Sequence, residues 1–313
     1  MIGLVPTRYT SSSDRIRQTV ALLGRRGYAL SPERLGEACL GGAISPDEVR
    51  WSVAATNELT LADGLVVHRA ALSRVADIRS RALGHGADAA AYVQMTLRFV
   101  RALISFAPFI RSVSIAGSLA SGGFRASDDV DLNLVVDDGH RHLAYVAVNA
   151  IGLAHAFAHR TKPVDDLTRR PLAPRLMTAN LILERAQCLP LERVDEDMAF
   201  EVLMSECVFG FETMRELIDA NPALVEHFPQ LADKRAPLLI DAPARRLPAA
   251  MFPRFLDGTA RLFGEGAWRY MQWTRRRHPD ALARVAYVRS TMRPYTLFDR
   301  GSEFSPTNSE ASP

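Results

Sequence analysis

The stretch SIAGSLASGGFRASDDVDLNLVV, from Ser114 to Val136, constrains this chain more than any other. Two apolar runs flank a Gly117-Ser118 step, and the second run carries Asp129 and Asp131 alternating with Val130 and Leu132. In a strand, residues i and i+2 share a face and lie ~6.6 Å apart at ~3.3 Å of rise per residue. Asp129 and Asp131 are therefore expected side by side on one face. Two nearby carboxylates repel, and without a cation one of them tends to take up a proton.

Two arrangements relieve that repulsion. In one, Gly122-Gly123 turns a plain hairpin and both aspartates face water. In the other, the carboxylates converge on a divalent cation. Mg²⁺ is the natural one, because it takes hard oxygen ligands from a few carboxylates and completes its shell with phosphate oxygens and water. The Gly117-Ser118 step weighs toward the second arrangement. A glycine there lets a backbone approach closely, and free N–H groups at such a turn, with the Ser118 hydroxyl, suit phosphate oxygens. A phosphate-binding turn beside a metal-binding strand edge is equipment for phosphoryl or nucleotidyl transfer.

At Gly117, Ser118, Asp129 and Asp131 the chain resembles the DNA polymerase β-like nucleotidyltransferase superfamily. The shared pattern is a strand, Gly-Gly or Gly-Ser, a linker (here Leu119 to Asp128), then Asp-hydrophobic-Asp. The resemblance implies an α+β fold with a polymerase β-like nucleotidyltransferase core, a mixed sheet with helices packed behind it. It also implies Mg²⁺ at Asp129 and Asp131, and an NTP whose β- and γ-phosphates lie on Gly117 and Ser118. An acceptor hydroxyl would attack the α-phosphorus, and pyrophosphate would leave.

The family usually has a third acid on a later strand. The candidate strand here is LMTANLILE, where alternation puts Leu176, Thr178, Asn180, Ile182 and Glu184 on one face. Asn180 stands where the acid is expected. An amide oxygen can ligate Mg²⁺, yet it is neutral and cannot serve as a base. Glu184 on the same face, and Asp165 and Asp166 in the preceding loop, are the other acids available. The segment after this strand is similar to a bacterial group of nucleotidyltransferase-like proteins in which an asparagine also holds this position and a winged-helix-like region precedes the core. Arg125, between the two motif halves, is a candidate for the triphosphate because guanidinium forks suit phosphates; a solvated loop arginine is the alternative.

Around this centre the chain divides into a winged-helix-like module over 1–71, the core over 72–190, a helical C-terminal domain over 191–300 and a polar, disordered tail over 301–313. The first ten or so residues read as loose. Ser13 or Asp14 is the candidate cap of a first helix, and two Ser-Pro steps followed by acids, at Ser31 and Ser45, start two more. Asp63-Gly64 between alternating residues marks a hairpin. A long helix over 72–107 follows, and everything from Asp195 onward reads as helix with Pro-rich interruptions.

Composition excludes some roles. The net charge of +3 gives no strong field that names a nucleic-acid partner. The third helix of the module, PDEVRWSVAATNEL, has one arginine against three acids, poor equipment for phosphates. Cys39, Cys188 and Cys207 lack the spacing of a zinc site or a disulfide framework and read as core thiols. His140 and His142 read as turn residues, and WTRRRHP (Trp273 to Pro279) as a cationic helix end. Trp268, Tyr270 and Trp273 read as core aromatics. No apolar run reaches the ~18 residues a membrane helix needs, and the start lacks a secretory pattern, so no membrane partner and a cytoplasmic location are expected. The expected function is Mg²⁺-dependent transfer of an NMP, AMP from ATP, to a hydroxyl of an unidentified acceptor. The alternatives are a catalytically weakened nucleotide-binding regulator and a winged-helix DNA-binding regulator.

Overall fold

The computed structural model of the chain describes residues 11–158, 176–275 and, of the last stretch, 279, 282–283, 286, 289–290 and 293–298. The expected loose start, Asp165, Asp166 and the tail over 301–313 lie outside the described residues. The first helices are α1 (Ser12–Arg25), α2 (Pro32–Glu37) and α3 (Pro46–Ala55), followed by the hairpin β1 (Leu59–Ala62) and β2 (Leu65–His68). The Ser31 and Ser45 hydroxyls accept the Arg34 and Glu48 amides, and Pro32 and Pro46 occupy the first turns. These caps satisfy N–H groups that have no partner inside the helix. The first helix starts earlier than expected: its cap is Ser11, whose hydroxyl accepts the Asp14 amide at 3.1 Å. Asp63 and Gly64 both have positive φ, 52° and 79°, as a two-residue turn matched to strand twist requires.

Beyond a 3-10 turn over Arg69–Arg74 come α4 (Val75–Phe106), β3 (Ile110–Ala116), α5 (Gly117–Ser121), β4 (Val130–Val136), α6 (Arg141–Ala158) and β5 (Met177–Glu184). They are followed by α7 (Arg185–Cys188), α8 (Glu196–Met204), β6 (Glu206–Phe209), α9 (Phe211–Asp219), α10 (Pro222–His227) and α11 (Leu256–Arg275). The protein is α+β, with a mixed four-stranded sheet in the order β5-β4-β3-β6. The β4–β5 pair is parallel and the other two pairs are antiparallel.

Alternation along β4 divides the sheet into two faces. Val130, Leu132, Leu134 and Val136 join Phe99, Leu103 and Ile104 of α4 and Val148 of α6 in one core behind the sheet. On the front face Val135, Leu181 and Leu183 join Met198, Val202 and Leu217 from α8 and α9. That same front core contains Ile16, Leu35 and Val49 of the first three helices. The N-terminal module and the C-terminal helices therefore bury their apolar residues against each other.

Two expectations need correction. Residues 191–300 are not purely helical, because Glu206–Phe209 forms β6 on the open edge of β3. Cys207, Val208 and Phe209 suit a pleated, buried strand, and pairing there satisfies backbone groups that an uncovered edge would leave open. The second correction concerns β5. A bulge between the pairs Leu132↔Ala179 and Asn133↔Leu181 leaves Asn180 without a Cα partner on β4. One extra residue reverses the alternation. Leu181 and Leu183 consequently face the front core, while Ile182 turns to the rear. Glu184 does not share a face with Asn180. It sits at the far end of β5, where its Oε1 accepts the Gly139 amide at 2.9 Å.

The Asp257 side chain, at the start of α11, caps the first turn of α6. Asp257 accepts the His142 and Leu143 amides at 2.8 and 2.9 Å and bonds the His142 ring through Nδ1 at 2.7 Å. Burial pushes this carboxyl up, but the hydrogen bonds from the His142 ring and the Leu143 amide, with the His142 charge, outweigh it and hold it below the ordinary aspartate value. A depressed folded-state pKa means stability that is complete above the unfolded value of about 3.9 and is lost as pH falls through the folded value. Asp257→Ala is expected to cost about 1–2 kcal/mol at pH 7. In urea titrations the difference from wild type should shrink only below about pH 4.

The three cysteines are buried and unpaired. Burial raises each thiol, that of Cys188 to about 12, which fits core packing and not nucleophilic chemistry. Among the described residues, no helix is long and apolar enough to cross a membrane.

Candidate active site

The Gly-Ser step and the Asp-x-Asp strand meet. In the β3–β4 ladder Ala116 lies opposite Asp131, so the chain leaves β3 at the level of that carboxylate. Gly117 then adopts φ +61°, and a Cβ built on it would stand 2.2 Å from Asp131 Oδ2. Only glycine combines this left-handed backbone with so close an approach. The single turn α5 follows, closed by Ser121 Oγ donating to the Gly117 carbonyl at 2.8 Å, and Ser118 within it is buried. On its other side Asp131 is held by Thr178 of β5, whose hydroxyl donates to Oδ1 at 2.7 Å. Asp129 is half-buried and immediately precedes β4.

The linker between the motif halves is pinned down over its length. Phe124 is fully buried against the Tyr92 ring, and the Tyr92 hydroxyl donates to the Ala126 carbonyl at 3.0 Å. Arg81 of α4 pairs with Asp128 at 3.6 Å. Gly122 and Gly123 are not the tip of a plain hairpin. The Arg34 guanidinium lies against Gly122 and the Tyr28 ring against Gly123, so the N-terminal module braces this loop. Arg125 does not point to the aspartates; it pairs with Asp77 at the start of α4. Its hydrogen bond is the main reason that the Asp77 carboxyl lies below its ordinary range.

Asn180 lies two residues beyond Thr178, one level further from the Gly-Ser turn. Its Nδ2 donates to Asn133 Oδ1 at 3.1 Å and to Glu201 Oε1 at 3.2 Å. Asn133 Nδ2 donates to the same Glu201 oxygen at 2.9 Å. The level of Asp131 on β5 is thus filled by Thr178, and Asn180 belongs to a polar network with Asn133 and Glu201. Comparison of the chain with family models, curated proteins and solved structures finds no match.

Among the described residues, no group of three or more His, Cys, Asp and Glu side chains forms a metal cage. Around Asp131 the front face offers its carboxylate, the Thr178 hydroxyl and the amides of Asn133 and Asn180, all carrying hard oxygen donors, with Asp129 immediately before β4. Thr178 was read on the face of Asn180; Asn133 was missed, although its place two residues after Asp131 puts it on the same face. Glu201 was missed too, because nothing local says which strand α8 will cover.

The other candidates fall away from this edge. Both ring nitrogens of His140 meet backbone carbonyls, Asp138 O at 3.1 Å and Phe252 O at 2.8 Å, and the ring stacks on Phe109. His142 is taken by Asp257. In the cationic run after Trp273, residues 274–278 have no described side chains; Tyr270 and Trp273 stack on each other at 6.1 Å and are more than two-fifths exposed, so they are not core aromatics. On α3 the lone Arg50 is paired with Asp47 at 2.9 Å and also with Glu33, which leaves that helix acidic.

Proposed function

We propose that the chain is a Mg²⁺-dependent nucleotidyltransferase that moves an NMP, with ATP the expected donor, to a hydroxyl of an acceptor and releases pyrophosphate. One observation carries this reading: the Asp131 carboxylate packs against the Gly117 backbone with no room for a methyl group. A triphosphate resting on the N–H groups of Gly117 and Ser118 would then lie beside any cation held by Asp129 and Asp131. Two carboxylates suffice for Mg²⁺, which takes its remaining ligands from phosphate oxygens and water. When bound, the ion would offset phosphate charge at the reacting phosphorus.

The residues of the chain divide the remaining work. Thr178 fixes the Asp131 rotamer, and Gly117 and Ser118 bind and orient the phosphates. In this reading β3, α5, β4 and β5 are the polymerase β-like core, and the first three helices with their hairpin are a winged-helix-like module that braces the linker through Tyr28 and Arg34. Arg125, committed to Asp77, is left out of the triphosphate site.

The second reading, a nucleotide-binding regulator with a weakened centre, is favoured by Asn180, since an amide cannot take the proton of an attacking hydroxyl. The acidic surface of α3 gives a DNA-binding role the least support. One experiment separates these readings. The purified chain is incubated with cell-extract metabolites, Mg²⁺ and mixed NTPs; product masses are compared with a Mg²⁺-free control, and NTP binding to the chain is measured by calorimetry with and without Mg²⁺. A Mg²⁺-dependent gain of one NMP on an extract component is expected. Mg²⁺-dependent NTP binding without any such gain would select the regulator, and no NTP binding at all would remove both.

A further inference from the structure

We infer that Glu201 is a positioning residue that turns Asn180 so that its carbonyl oxygen, and not its NH₂, is presented as a neutral third ligand beside the aspartates. The inference rests on the nucleotidyl-transfer reading and deepens it. An amide side chain has one donor end and one acceptor end, and its neighbours decide which way it faces. An ionised carboxylate can only accept. Glu201 Oε1 receives Nδ2 of Asn180 at 3.2 Å and Nδ2 of Asn133 at 2.9 Å, so both amides must turn their NH₂ groups toward α8. The second N–H of Asn180 is used by Asn133 Oδ1 at 3.1 Å. Oδ1 is what remains, and among the described residues no group donates to it. The reverse orientation would aim two N–H bonds at a site that has to hold a cation.

The bulge matters for the same reason. It frees Asn180 from a Cα partner on β4, and Glu201 and Asn133 supply the fixation that the ladder does not. Two carboxylates and a neutral oxygen hold a divalent ion less strongly than three carboxylates would. The triphosphate must make up the charge, so ion and nucleotide should each strengthen the binding of the other.

The test uses the whole chain, with Mn²⁺ and ATP as probes in calorimetry and the Asn side-chain N–H signals followed by NMR. In wild type the Asn180 NH₂ protons should exchange slowly, and Mn²⁺ should bind better with ATP than alone. Glu201→Leu should speed that exchange and weaken Mn²⁺·ATP about tenfold, the usual size of such an outer-ligand effect. Glu201→Gln keeps an accepting oxygen and should restore most of the affinity. In an Asn180→Ala background Glu201→Leu should cost nothing more. If the two losses simply add, or Glu201→Gln is as poor as Glu201→Leu, Glu201 does not act through Asn180 and the inference is overturned while the nucleotidyl-transfer reading stands. If wild type holds the Asn180 protons yet binds no Mn²⁺·ATP, the ligand role and that reading fail together.

Discussion

Gly210→Ala is expected to lower stability by about 3 kcal/mol or more, combining a strained left-handed residue with overpacking. Gly210 joins β6 to α9 with φ +67°, and a Cβ there would stand 1.8 Å from the Arg111 carbonyl oxygen and 3.1 Å from the Ser112 Cα. Both atoms belong to the backbone of β3, one of the two inner strands, so no side-chain rotation relieves the clash. Either β6 detaches or the sheet shifts. Guanidinium unfolding followed by circular dichroism measures the loss. Gly84→Ala is the control: Gly84 lies within α4 and a Cβ there meets nothing within 4 Å. That change should be neutral or stabilise by up to about 1 kcal/mol, the usual helix gain. A Gly210→Ala protein as stable as wild type would show that β6 is not locked to β3 as described.

Much of this arrangement was legible because it is local. The Ser-Pro starts of α2 and α3 and the Asp63-Gly64 turn rest on backbone geometry within four residues, and the structure has them where the sequence puts them. The alternation of β4 is local too, and it placed Val130, Leu132 and Leu134 in the core with Asp131 on the other face. The misread elements depend on partners distant in the chain. Glu206–Phe209 forms a strand only because β3 offers an edge. The alternation of β5 fails at Asn180 because of its register with β4, and a bulge of one residue leaves no mark in a run as apolar as LMTANLILE. Arg125 looked apt for a triphosphate until α4 supplied Asp77. Glu201 shows the limit most clearly: its charge was visible, but its position over Asn133 and Asn180 follows from how α8 docks on the sheet.

The same distinction bears on function. The two halves of the motif are separated by a ten-residue linker, Leu119 to Asp128, and sequence spacing alone cannot say that they touch. Their contact is a tertiary fact. It depends on Phe124 being buried, on Arg81 and Tyr92 of α4, and on Tyr28 and Arg34 of a module far earlier in the chain. The N-terminal module thus has a structural task at the site whether or not it contacts any partner of its own.

That contact yields the sharpest functional expectation. Gly117→Ala adds one methyl group where Asp131 Oδ2 stands 2.2 Å away and where φ is +61°. The left-handed backbone costs about 1–2 kcal/mol for a residue with a Cβ. The remaining strain is relieved most easily by rotating the Asp131 carboxylate off Thr178, which leaves the fold intact and misaims the ligand. The proposed nucleotidyl transfer should therefore fall about 100-fold or more, as displacement of a reacting group by an ångström does, with an unchanged circular dichroism spectrum. Asp131→Ala should lose transfer to the same extent by removing the carboxylate itself. The two changes should not add: with Asp131 already truncated, Gly117→Ala finds its closest obstacle gone, and its stability cost should drop by about 1 kcal/mol, a coupling expected only of residues in contact. Equal stability costs of Gly117→Ala in both backgrounds, or transfer retained in Gly117→Ala, would mean that the glycine and the carboxylate do not form one site.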